Sequence, residues 1–82
     1  MIDSHVHIGH NCVIMKNAVL TAGVTLLGSV TVRNNAWIAP ASTIMNRVVI
    51  GEHSIVGLGS VVLSDVPDNA KVLGVPARKT QF

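Results

Sequence analysis

Aromatic side chains are almost absent from this sequence of 82 residues, in which Trp37 and Phe82 are the only two. Valine, isoleucine and leucine supply 27 residues, and the apolar fraction reaches 49%. A domain of this size normally depends on large side chains, because its surface is large relative to its volume. The sequence therefore predicts one domain that is held together without an aromatic core, and its aliphatic content excludes a disordered chain.

Cysteine and charge are also scarce. Cys12 is the single cysteine, which excludes a disulfide framework and fits a reducing compartment. The net charge is +2, and the six lysines and arginines are scattered without the stacking aromatics of nucleic-acid-binding domains. No apolar run approaches the roughly 18 residues of a membrane span, and no basic segment precedes an apolar one as in a signal peptide. We expect a cytoplasmic protein that binds neither nucleic acid nor membrane.

The sequence does contain a repeat of six residues. Branched aliphatic side chains occupy every sixth position: Ile2, Ile8, Ile14, Leu20, Leu26, Val32, Ile38, Ile44, Ile50, Val56 and Val62. Four residues after each of these comes a small or β-branched residue: Val6, Cys12, Ala18, Val24, Val30, Ala36, Ser42, Val48, Ser54, Ser60 and Val66. Each residue of the second series therefore precedes the next aliphatic by two residues. Strand residues two apart point to the same side, so both series are predicted to face inward. Each hexad is thus predicted to be one short strand and one turn.

The position three residues after each aliphatic is the predicted corner of the turn. These residues are His5, Asn11, Asn17, Gly23, Ser29, Asn35, Ala41, Arg47, His53, Gly59 and Asp65. Six of the eleven are Asn, Asp or Gly, the types that tolerate a positive φ. Three strands per coil give a triangular coil of 18 residues, too narrow for rings inside. The strands and turns of an antiparallel sandwich would not maintain an unbroken six-residue spacing from Ile2 to Pro67.

This pattern resembles the left-handed parallel β-helix of the hexapeptide-repeat acyltransferases. The closing segment is similar to the end of many such enzymes, with Asp-Val-Pro at 65–67 and Gly-Val-Pro-Ala at 74–77. The resemblance implies an all-β chain with a β-helix of about 3.5 coils over residues 1–67. A C-terminal extension over residues 68–82 is expected to pack on this helix and to contain a short strand.

Residues 18 positions apart are predicted to stack on one another, so the corners form three separate edges of the coil. The polar corner (16–17, 34–35 and 52–53) should face water, whereas the apolar corner (22–23, 40–41 and 58–59) carries small and apolar residues. Val19, Trp37 and Ile55 are predicted to point outward on the strands before the apolar corner. An exposed apolar stripe of this kind marks an interface. We expect a homo-oligomer, which the family resemblance makes a homotrimer, with Trp37 buried between subunits.

The histidine corner (10–11, 28–29, 46–47 and 64–65) places Gly28 one coil above His10, which leaves open space for a thioester. Histidine is suited to accept a proton near neutral pH. The segment 8–14, Ile-Gly-His-Asn-Cys-Val-Ile, resembles the segment with the catalytic histidine in the lipid A N-acyltransferase and in the bacillosamine and sialic acid acetyltransferases. That resemblance implies that His10 is the general base and that acetyl-CoA is the donor. The implied donor-binding residues are Gly28, Pro40, Leu58, Arg78 and Lys79.

The implied function is transfer of an acyl group from acetyl-CoA to an amine or hydroxyl of a sugar-type acceptor, at a site between subunits of a trimer. The alternative is a non-catalytic β-helical trimerisation module, or a remnant that lacks the acceptor-binding domain. The other histidines, His5, His7 and His53, are predicted to be surface residues, and their spacing does not fit a zinc site, so we expect no metal. Cys12 is expected to contribute packing.

Overall fold

The computed structural model describes residues 2–80, which form twelve short strands. The first ten have two residues each: β1 (His7–Ile8), β2 (Val13–Ile14), β3 (Val19–Leu20), β4 (Thr25–Leu26), β5 (Thr31–Val32), β6 (Trp37–Ile38), β7 (Thr43–Ile44), β8 (Val49–Ile50), β9 (Ile55–Val56) and β10 (Val61–Val62). They are followed by β11 (Lys71–Gly74) and β12 (Ala77–Lys79). No segment among residues 2–80 forms a helix that could cross a membrane.

The strands build three parallel sheets around a triangular coil. Their orders are β1-β4-β7-β10, β2-β5-β8 and β3-β6-β9-β11-β12, so each coil gives one strand to each sheet. Partners in the regular coils lie 18 residues apart, as in the pair Trp37 and Ile55. The fold is therefore the predicted all-β, left-handed parallel β-helix.

The core consists of the two inward series that the hexads predict. From Ala18 to Val66, every member of both series is at most 3% exposed. The first coil differs, because Ile2 and Ile8 are 49% and 39% exposed at the outer edges of their sheets. Buried serines are hydrogen-bonded to the backbone: the Ser42 hydroxyl donates to the carbonyls of Ala39 and Gly57 at 2.9 and 3.0 Å, and the Ser60 hydroxyl accepts the Gly74 N–H at 3.2 Å. The interior is thus aliphatic and closely hydrogen-bonded at its corners.

The corners adopt the predicted left-handed conformation. Ten of the eleven predicted corner residues have a positive φ: His5, Asn11, Asn17, Gly23, Ser29, Asn35, Ala41, Arg47, His53 and Gly59. Successive corners are stacked by backbone hydrogen bonds, such as the one from the Ala41 N–H to the Ala22 carbonyl at 3.0 Å. The exception is Asp65, for which the predicted positive φ is wrong. Asn69 adopts the positive φ instead.

The reason is a shortening of the last coil by two residues. Val66 pairs with Ile50, sixteen residues earlier, rather than with Val48. The Asp65 carboxylate accepts the Val49 N–H at 2.9 Å, a bond that a backbone carbonyl makes in the regular coils. Gly51 permits this close passage, because a Cβ there would lie 2.5 Å from the backbone nitrogen of Asp68.

The chain then extends one sheet beyond the other two. Strand β11 pairs in parallel with β9, and β12 folds back antiparallel to β11. Leu73 of β11 lies over Gly57, where its Cδ1 would be 2.5 Å from an added Cβ. The division into segments 1–67 and 68–82 stays a prediction, and its outer ends, residue 1 and residues 81–82, lie outside the described residues.

Candidate active site

The histidine corner presents His10 on the surface while the backbone around it is fixed. The His10 side chain is exposed, and the next residue, Asn11, has a φ of 59°. The His10 carbonyl accepts the Ser29 N–H of the next coil at 2.7 Å. Cys12 points inward and donates its thiol to the Leu27 carbonyl at 3.0 Å. These two bonds fix the level of His10 relative to the corner above it.

The position directly above His10 is occupied by Gly28, although the local structure does not require a glycine there. Its φ is not positive, and an added Cβ would have only the His10 carbonyl oxygen nearby, at 3.7 Å. The other six glycines adopt a positive φ or have an atom within 2.8 Å of an added Cβ: Gly9, Gly23, Gly51, Gly57, Gly59 and Gly74. The missing side chain at Gly28 therefore leaves an opening along this edge that packing and backbone geometry do not demand.

Pro40 and Leu58 lie on a different edge. Both are exposed on the apolar corner, Leu58 to 67%, and the Gly59 N–H donates to the Pro40 carbonyl at 3.0 Å. The sheet β1-β4-β7-β10 separates this corner from the histidine corner. A single chain thus brings His10 together with Gly28, and Pro40 together with Leu58, but it does not bring the two pairs together.

Arg78 and Lys79 lie beside the upper end of the histidine corner. They line a cavity of about 350 Å³ that is also bordered by Ser64 and Asp65. Its apolar floor includes Val62, Val66, Val72 and Ala77. Sequence reasoning could not assign this neighbourhood, because it depends on the shortened last coil and on the antiparallel return of β12.

The remaining histidines are exposed and separate from this corner. His53 lies 3.5 Å from Glu52 on the polar corner, His7 begins strand β1, and His5 lies at the corner that precedes this strand. Within residues 2–80, no three side chains of the His, Cys, Asp or Glu type are grouped so that they could hold a metal ion.

The predicted apolar stripe is present on the sheet before the apolar corner. Trp37 lies in register between Val19 and Ile55, and it is 47% exposed in the single chain. Neighbouring Leu58 adds a further exposed aliphatic side chain. A half-exposed indole within such a stripe is suited to contact another protein surface.

The sequence is similar to known transferases. Residues 29–64 match the family described as bacterial transferase hexapeptide (six repeats). A serine acetyltransferase from Bacillus subtilis (strain 168) is 40% identical over 79 residues, which cover 87% of this chain and 36% of that protein. The galactoside O-acetyltransferase of Escherichia coli (strain K12) is 34% identical over 88 residues, covering 93% of this chain and 43% of that protein.

A solved galactoside acetyltransferase in complex with coenzyme A has the same fold, with a TM-score of 0.81 at 26% identity; the match covers 98% of this chain and 58% of that one. The chain thus spans about two fifths of the length of the two curated relatives described above. Fold, repeat and similarity agree over nearly all of it. The chain belongs to the hexapeptide-repeat transferase family.

Proposed function

We propose that this chain forms the catalytic edge of an acyltransferase that moves an acyl group from acetyl-CoA to an amine or hydroxyl of a sugar-type acceptor. The observation that carries this proposal is the exposed His10 beneath Gly28, at an opening without a structural cause. Relatives named for acetyl transfer to serine and to galactosides support the reaction class.

Coenzyme A supplies the acyl group as a thioester. Gly28 gives the thioester room beside His10, and Arg78 and Lys79 border the cavity at the other end of the same corner. Ser64, which borders this cavity, lies three coil spacings above His10, a distance of roughly 14 Å at the usual strand spacing. Cationic side chains bind phosphate strongly, so the phosphates of the donor belong at this upper end. The donor and the free Cys12 fit a reducing, cytoplasmic setting.

His10 acts as the general base in this proposal. Its imidazole accepts the proton of the acceptor's amine or hydroxyl while that nitrogen or oxygen bonds to the acyl carbon. The carbon–sulfur bond breaks, and the thiol leaves with the proton that His10 held. No covalent enzyme intermediate is needed, because donor and acceptor are bound together. The hydrogen bond from Ser29 to the His10 carbonyl keeps the base at the level of the thioester.

The active unit in this proposal is a homotrimer. Pro40 and Leu58 cannot meet a donor that is bound along His10 and Gly28 of the same chain, because a sheet lies between the two corners. A neighbouring copy can bring its own apolar corner to the histidine corner, where Pro40 and Leu58 contact the pantetheine arm. The exposed stripe around Trp37 supports burial between copies.

A non-catalytic trimerisation module is the second candidate. The exposed stripe around Trp37 favours it, because burial of this stripe between copies requires no donor or acceptor. Isothermal titration with coenzyme A discriminates the two, since the module requires no donor affinity. Absence of heat at millimolar coenzyme A would leave the module as the function.

The catalytic role of His10 is tested with His10→Ala. General-base removal should lower turnover by roughly a hundredfold to ten-thousandfold, while coenzyme A binding stays within about twofold. Thiol release from acetyl-CoA is measured with an amino sugar, a galactoside and serine as acceptors. His53→Ala, which removes an exposed histidine from the polar corner, is the matched control and should keep full turnover. Equal turnover in the two variants would contradict the role.

A further inference from the structure

One arginine on the histidine corner has no ionic partner. Arg47 is exposed, and its guanidinium makes no hydrogen bond or ion pair with any residue of the described range 2–80. Its backbone N–H donates to the Gly28 carbonyl at 2.9 Å, and the neighbouring Ser29 is bonded in the same way to His10. Arg47 therefore lies two coils, or roughly 10 Å, above the level of His10.

The conformation of this corner does not favour arginine. Arg47 has a φ of 65°, a region that costs most side chains free energy and that asparagine tolerates better. Asparagine occupies four other left-handed positions of the described chain, Asn11, Asn17, Asn35 and Asn69, and the remaining non-glycine ones are His5, Ser29, Ala41 and His53. Asparagine would relieve this conformation at position 47, and none of these other left-handed positions carries an arginine or lysine, so the fold itself does not require the charge of Arg47.

The surroundings differ from those of the other exposed arginine of the coils. Arg33 lies 3.8 Å from the Asp68 carboxylate, so a partner within the chain accounts for its charge. Above Arg47, the cavity at the end of the histidine corner is lined by Arg78, Lys79 and a single carboxylate, that of Asp65. One oxygen of this carboxylate already accepts the Val49 N–H. This end of the edge therefore carries an excess of positive charge.

We propose that Arg47 binds a phosphate group of the acyl donor, together with the cationic cavity above it. The inference rests on the proposed function, because it assumes that the donor lies along this corner. A planar guanidinium can donate two parallel hydrogen bonds to one phosphate, which explains an arginine at this position in place of asparagine. Gly28 receives the thioester end of the same donor, and Arg47 its anionic part.

The test compares Arg47→Asn with wild type in binding coenzyme A and pantetheine, which lacks the phosphates. Affinity for coenzyme A should fall roughly tenfold, as expected for loss of one charge-assisted contact, while affinity for pantetheine stays unchanged. The melting temperature should stay equal or rise, because asparagine relieves the left-handed conformation. Arg33→Asn is the matched control and should keep both affinities. Arg47→Gln, which retains a long polar side chain without the charge, should reproduce the coenzyme A loss.

The outcomes separate this inference from the function on which it rests. Wild-type protein that binds neither ligand would overturn both. Coenzyme A binding that is equal in wild type and Arg47→Asn would overturn the role of Arg47 alone. An equal loss of coenzyme A and pantetheine affinity in Arg47→Asn would also overturn it, because the effect would then not come from the phosphates.

Discussion

Gly28 differs from the other glycines at the scale of single residues. Its neighbours leave space for a methyl group, and its backbone is in a region open to alanine. Gly28 has no packing reason to be glycine and lies directly above an exposed histidine, which supports the proposed ligand site. Sequence alone revealed the stacking of the two residues, but the 3.7 Å to the His10 carbonyl was needed to show that Gly28 is structurally dispensable.

Gly28→Ala should therefore separate stability from activity. The free energy of unfolding should stay equal or rise by about 0.4–1 kcal/mol, because alanine restricts the unfolded chain. The catalytic efficiency kcat/KM with acetyl-CoA should fall by roughly a hundredfold, since a methyl group displaces the thioester from His10. Denaturant melts and steady-state kinetics measure the two effects. Asn34→Ala, at the same turn position on the polar corner, is the control; a stable and fully active Gly28→Ala would refute the assignment.

The element that dominates this fold is the corner between two short strands. Because the strands have only two residues, the φ of each corner sets the direction of the next side of the triangle. The chain meets this demand with asparagine and glycine at some corners, but with alanine at position 41. Ala41 and Gly59 are stacked on the apolar corner, so they allow the same backbone conformation to be tested with either residue.

We expect Ala41→Gly to stabilise the protein and Gly59→Ala to destabilise it, each by roughly 0.8 kcal/mol. This value is the left-handed strain of alanine, about 1–2 kcal/mol, less the entropy advantage of alanine, about 0.4–1 kcal/mol. Both sites are exposed, and no atom lies within 4 Å of a Cβ at Gly59, so packing adds little. Thermal and urea unfolding measure the pair; shifts of equal sign would show that the corner conformation is not limiting.

The corners also show which parts of the structure could be predicted from the sequence. A strict period was sufficient to predict ten left-handed positions, because side-chain alternation and turn chemistry repeat together. The failure at Asp65 has a physical cause: a shift of two residues preserves inward and outward alternation, so Val66 is buried in either register. No aliphatic pattern distinguishes the two. The neighbourhood of Arg78 and Lys79 depends on that shift and stayed beyond reach for the same reason.

At the scale of the whole molecule, the stripe around Trp37 predicts assembly. Trp37→Glu places a charge in the proposed interface and should convert the proposed trimer to monomers. The proposed activity should be lost as well, because the apolar corner of one copy would no longer meet the histidine corner of another. Light scattering after size exclusion measures the mass. Met15→Glu, directly after strand β2 of a different sheet and 40% exposed in the native chain, should leave the proposed trimer intact. An unchanged mass of Trp37→Glu would place the interface elsewhere.

The two-residue shortening after Val62 has a consequence for how such a chain can change in length. An internal coil is paired with a coil on either side, so losing or gaining residues there breaks two sets of hydrogen bonds. Strand β10 and the Val66 bridge have a partner on one side only, so a changed register there disturbs a single layer. Insertions and deletions should therefore accumulate at the ends of the stack, while the middle coils keep a fixed length. The number of coils can vary freely, but the circumference of an inner coil cannot.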